Sequence, residues 1–206
     1  MLDILFSPLE AIASAKTERS MGKTILVLFV ASLLASLNVF IMTKKFSGTN
    51  FALGFGILIG VFLLTIVMAF LLQLSLHILS QRGGYYEALT TLSYGFFIMS
   101  CGYLISSIVG LIPSTGIFLT IIVSILSGVV LLLTFIMSNA VMLRTAVELF
   151  KTDLFTVIVA LMIVYTATFL TIYLMIIKTL FAGMFGMAKG LGASSLGEGL
   201  PATGFP

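Results

Sequence analysis

Gln73 and His77 stand four residues apart in a stretch, residues 46–81, that holds no Asp, Glu, Lys or Arg. Helical spacing puts them on one face. A polar group inside an apolar span is a functional candidate, and an amide beside an imidazole could relay a proton or hold a polar solute. Asn139, in a second uncharged stretch over residues 88–143, is the third candidate of this kind. The plainer reading is structural. His77 falls near the end of its apolar run, within reach of the interface, and asparagine commonly bonds between neighbouring helices. Other chemistries lack their parts. His77 is the single histidine and Cys101 the single cysteine. A metal site takes three or four ligands in suitable geometry, so neither a metal nor a cofactor is expected. No HExxH or GxSxG occurs, and Gly22-Lys23-Thr24 echoes a phosphate loop without its first glycine, Thr17 standing there instead. The acidic residues fall in connections, helix ends or the tail. Glu87, Glu148 and Asp153 share a side with Arg82, Arg144 and Lys151, and solvated charge pairs are expected. Nothing here assembles an acid, a base and an electrophile, so the chain reads as non-enzymatic.

The elements that carry these residues follow from composition. Sixty per cent of the 206 residues are hydrophobic and 8% are charged, where a soluble domain carries about 25%. An apolar helix of about 20 residues crosses a hydrocarbon core of about 30 Å. The expectation is an all-α polytopic membrane protein with five spans, over residues 24–43, 51–80, 87–112, 117–143 and 154–180. A short amphipathic interfacial segment, residues 1–23, precedes them, with Ser7-Pro8-Leu9-Glu10 set as a capping box. Residues 24–182 form the five-helix domain. Residues 183–206, rich in Gly, Ser and Ala, read as a flexible tail. Gly83 and Gly84 make a structural turn after the second span, and Pro113 breaks the chain before the fourth. Arg144, Glu148, Lys151 and Asp153 form a charged connector, Asp153 capping the fifth span. The first 20 residues contain Asp3 and Glu10 and lack a basic start, so the first span is expected to serve as an uncleaved anchor.

Five spans put the two ends of the chain on opposite sides. The side of the first residues collects Lys16, Arg19, Lys23, Arg82, Arg144 and Lys151, the other Lys44, Lys45, Lys178 and Lys189. The excess favours a cytoplasmic N-terminus in a plasma membrane. A net charge of +3 with scattered basic residues gives no footprint for nucleic acid. The expected partners are the lipid bilayer and other membrane proteins, or a second copy. Small residues recur at four-residue spacing: Gly56 and Gly60; Gly102, Ser106 and Gly110; Thr120, Ser124 and Gly128. Such rows let a neighbouring backbone approach closely. Packing inside the bundle and contact with a partner are both open to them.

The pattern resembles the Yip1-domain proteins, in the form found in prokaryotes. The resemblance rests on Ser7-Pro8-Leu9-Glu10-Ala11, on Leu76-His77-Ile78, and on Gly83-Gly84-Tyr85-Tyr86-Glu87-Ala88-Leu89. Ser93-Tyr94-Gly95 and Ile112-Pro113 extend it, so that it covers about residues 4–180. Where family members often place a proline after the Tyr-Gly pair, Phe96, Phe97 and Ile98 stand here. The resemblance implies a non-enzymatic membrane scaffold, adaptor or accessory subunit. The competing function is a small-molecule or ion transporter or channel using Gln73, His77 and Asn139.

Overall fold

Long uncharged runs leave the backbone one economical solution in lipid, the helix, which satisfies every amide internally. The computed structural model describes residues 3–43, 48–80, 83–112 and 116–195, and among these no strand occurs. Two short helices, α1 (Asp3–Phe6) and α2 (Pro8–Thr17), lead into α3 (Met21–Thr43). Then come α4 (Gly48–Ser80), α5 (Tyr85–Gly110), α6 (Ile117–Phe150) and α7 (Leu154–Ser195). The five long helices each contain a segment long and apolar enough to cross a membrane. The protein is therefore an all-α, multi-pass integral membrane protein.

The chain divides into two compact units, residues 1–164 and 165–206. In the first, α5 sits against α3, α4 and α6. It is the least apolar of the spans and the most buried. That placement follows from its side chains. Thr90, Thr91, Ser93, Ser100, Ser106 and Ser107 are all buried, and hydroxyls find partners on neighbouring helices that lipid cannot offer. One apolar cluster joins Leu72 and Leu76 of α4, Leu92 of α5, Ala146 and Phe150 of α6 and Val157 of α7. A second joins Ile4 and Ala11 of the leading helices to Val27, Ala31, Phe97, Ile98 and Val141. In the second unit, Phe169 and Tyr173 stack with centroids 6.4 Å apart and planes 12° from parallel.

Several boundaries differ from the sequence expectation. The charged connector is mostly helix: α6 runs on through Arg144 and Glu148 to Phe150. The Arg144–Glu148 pair, 3.3 Å apart at i,i+4, supports that extension. The helix stops at Lys151, which adopts a left-handed conformation with φ of 51°. The glycine-rich segment expected as a tail from residue 183 is helical through Ser195. Ser7 precedes α2 with Pro8 in the first turn, yet its side chain makes no cap bond. The Asp153 cap forms: its carboxylate accepts the Thr156 N–H at 2.8 Å and the Thr156 hydroxyl at 2.7 Å. Those bonds hold the Asp153 carboxyl below its ordinary range. Pro113 and Arg82 lie outside the described residues.

Candidate functional site

The leading residues are fastened to one end of the bundle. Ile12 of α2 is fully buried, and Ala11 and Ala15 are buried beside it. The Tyr86 hydroxyl donates to Ala15 O at 3.1 Å. Arg19, in the link to α3, reaches Glu87 at 2.9 Å. Glu87 is buried and its second carboxylate oxygen accepts the Gly84 N–H at 3.1 Å, at the positive end of α5. The sequence paired Glu87 with Arg82 on a solvated face. The structure buries it and supplies Arg19 from the leading segment. A long-range pair of this kind leaves no local signal. Deeper at the same end, the hydroxyls of Thr24 on α3 and Thr90 on α5 bond at 3.0 Å.

Between this docked segment and the spans lies a cavity of about 570 Å³. Glu10 and Ser14 of α2 and Lys23 of α3 contribute its polar wall; Ile4, Ala11, Leu26, Val27 and Tyr94 contribute the rest. Glu10 thus faces the cavity and does not reach back to complete a capping box. Lys23 pairs with Glu18, and this pairing lowers the Glu18 carboxyl below its ordinary range. At the opposite end, a recess of about 290 Å³ is lined by Ser106, Ser107 and Gly110 of α5, Ser127 of α6, and Ile41 and Met42 of α3.

The helix seams sort the small residues into two classes. Along α5 and α6, Gly102 lies so close to Thr134 that a Cβ there would overlap its side chain. The Ser106 and Ser127 hydroxyls bond each other. Ser138 donates to Gly95 O at 2.8 Å, and a Cβ on Gly95 would meet Met142 Cε at 2.8 Å. This antiparallel seam therefore uses Gly95, Gly102 and Ser106 on one side and Ser127, Thr134 and Ser138 on the other. Between α3 and α4 the tight residue is Gly54, where a Cβ would stand 2.7 Å from the Phe40 ring. Asn38 of α3 receives the Ser107 hydroxyl of α5.

The remaining members of the expected rows do not pack tightly against another helix among the described residues. Gly56, Gly60, Gly110 and Gly128 are exposed, and beyond their own helix backbone no described residue comes within 4 Å of a Cβ placed on them. Ser124 is exposed as well. Of the two uses open to these rows, the α5 row enters an internal seam at Gly102 and Ser106, while the rows on α4 and α6 lie on faces outside the seams described. Gly95 and Ser138 were missed although each has a small residue four positions before it, Thr91 and Thr134; spacing within one helix does not say which residue opposes it. The candidate polar groups also separate: Gln73 is half-buried and His77 exposed on α4, while the Asn139 amide donates to Phe135 O of its own helix at 2.8 Å. The turn behaves as expected at Gly83, whose φ is 95°. Gly84, at φ of −117°, is in extended backbone open to any residue. Among the described residues no group of His, Cys, Asp and Glu is arranged to hold a metal.

No protein-family model, curated protein or solved structure matches this chain.

Proposed function

We propose that this protein is a non-enzymatic membrane scaffold or accessory subunit, Yip1-like, that receives a helix of another membrane protein on the outer face of α6. One observation carries the reading. Over residues 117–137 of α6 no residue is buried, although the stretch is strongly apolar and carries Ser124 and Gly128 exposed one turn apart. A membrane helix packs where small residues let backbones approach, and van der Waals contact drives that packing in lipid. The seams within the chain use other small residues, so this row is left for a second molecule. The internal hydroxyl pairs, Thr24 with Thr90 and Ser106 with Ser127, knit spans together and support a packing role for the polar side chains. The orientation that goes with this reading has the N-terminus in the cytoplasm and the chain in the plasma membrane of a prokaryote.

The test is affinity purification in mild detergent, compared between wild type and Gly128→Leu. A protein that co-purifies with wild type and is lost from the variant, while the variant keeps its melting temperature, supports the scaffold. Solute flux through proteoliposomes that disappears with Gln73→Leu, with no co-purifying protein in either sample, would replace it with a transporter.

A further inference from the structure

The cavity under α2 has the polarity profile of a lipid site. Its upper wall is Glu10, Ser14 and Lys23. Lys23 stands in the first turn of α3, where the span begins, so these groups lie at headgroup depth. Leu26 and Val27 follow one turn further in, and Tyr94 lies about 14 Å along α5 from its first residue at 1.5 Å per residue. The wall therefore passes from charged to apolar in the direction that an amphiphile enters a bilayer. A volume of about 570 Å³ is within the usual range for a ligand site.

The charges select the headgroup. Arg19 is engaged by Glu87, and Lys23 by Glu18. Glu10 makes no ion pair among the described residues, and it faces the cavity. Glu10 and Ser14 are both exposed, so a carboxylate and a hydroxyl one turn apart are open to a donor cation that enters the cavity. Lys23 and Glu18 are both largely exposed, 66% and 62%, so their pair costs little to exchange for a phosphate. We propose that this cavity binds one phospholipid bearing a primary ammonium headgroup, the ammonium on Glu10 and Ser14, the phosphate at Lys23, and an acyl chain along Leu26, Val27 and Ile4. A quaternary headgroup has no N–H to donate, and an anionic one without an amine leaves Glu10 without a partner.

The experiment uses the full chain, stripped of lipid in detergent and titrated by native mass spectrometry. The probes are phosphatidylethanolamine, phosphatidylcholine, phosphatidylglycerol and the soluble headgroup glycerophosphoethanolamine. One phosphatidylethanolamine should bind per chain, about tenfold more tightly than either other lipid, the worth of one charge-assisted hydrogen bond. The soluble headgroup should not compete. Glu10→Gln, nearly isosteric, should remove the preference, and Ser14→Trp should fill the cavity and abolish the one-to-one complex. Equal binding of the three lipids, or a preference unchanged in Glu10→Gln, would overturn the assignment. Competition by the soluble headgroup would overturn the lipid part of it. Should Ser14→Trp melt early, the Glu10→Gln comparison decides alone.

Discussion

Replacing Gly83 by alanine tests the turn that joins α4 to α5. Two costs are legible in the geometry. Gly83 has φ of 95°, a region where an L side chain costs roughly 1–2 kcal/mol. A Cβ there would also overlap two carbons of the Phe150 ring and stand 3.2 Å from a third. Phe150 is 2% exposed and belongs to the main apolar cluster, so the ring has little room to move, and overpacking of that kind costs about 1–3 kcal/mol. Together the substitution should destabilise the protein by about 2–5 kcal/mol. Reversible unfolding in mixed micelles reads the value. A double-mutant cycle separates the parts. Phe150→Ala alone should cost about 3–5 kcal/mol. Combined with Gly83→Ala it should cost about 1–3 kcal/mol less than the sum, because the overlap is gone while the strained φ remains. Gly84→Ala, whose backbone is unstrained, should cost less than Gly83→Ala, and exposed His77→Ala should stay within about 0.5 kcal/mol of wild type. Stability of Gly83→Ala within about 0.5 kcal/mol of wild type, or singles that simply add, would refute the reasoning.

Gly102→Leu should lower the unfolding free energy by about 1–3 kcal/mol or more through the Thr134 overlap, whereas Gly128→Leu should leave it unchanged, a contrast read in the same unfolding assay. Arg19→Ala should raise amide exchange over residues 11–17 up to about tenfold, since Glu87 then loses its partner in the leading segment; unchanged exchange would detach the pair from docking. Asp153 has a lowered carboxyl pKa in the fold, so its cap is fully formed above the ordinary aspartate range, about pH 4, and is lost as pH falls through the lower folded value. Acid should therefore fray the first turn of α7, seen by hydrogen exchange, and Asp153→Asn should remove that step. For orientation, single cysteines at Ser14 and Ser194 in a Cys101→Ser background should react with an impermeant thiol reagent from opposite sides, Ser14 from the cytoplasm.

The spans were legible because charge and apolar run length decide them. Span edges were less so. Arg144 and Glu148 read as a break in an apolar pattern, yet their i,i+4 pairing continues α6 by almost two turns. Glycine content argued for a tail where the helix runs on to Ser195. The small-residue rows named the right helices, but a seam is fixed by the opposing side chain, and Thr134, Met142 and Phe40 gave no sign of what they would meet. The same limit hid the docking of the leading segment. Arg19 with Glu87 and Tyr86 with Ala15 are contacts between residues about 70 apart in sequence, and nothing local announces them. Gly83 was found because a positive φ is a local demand with a local answer.

The scaffold reading turns on what lies against the outer face of α6. A photo-crosslinking residue placed at position 128 of the full chain, in native membranes, reports this directly, with position 149 as the buried control. A scaffold should give a discrete protein adduct at 128, either a second copy or a different membrane protein, that Ser124→Leu suppresses and that position 149 does not give. Lipid adducts alone at position 128, unchanged by Ser124→Leu, would contradict it.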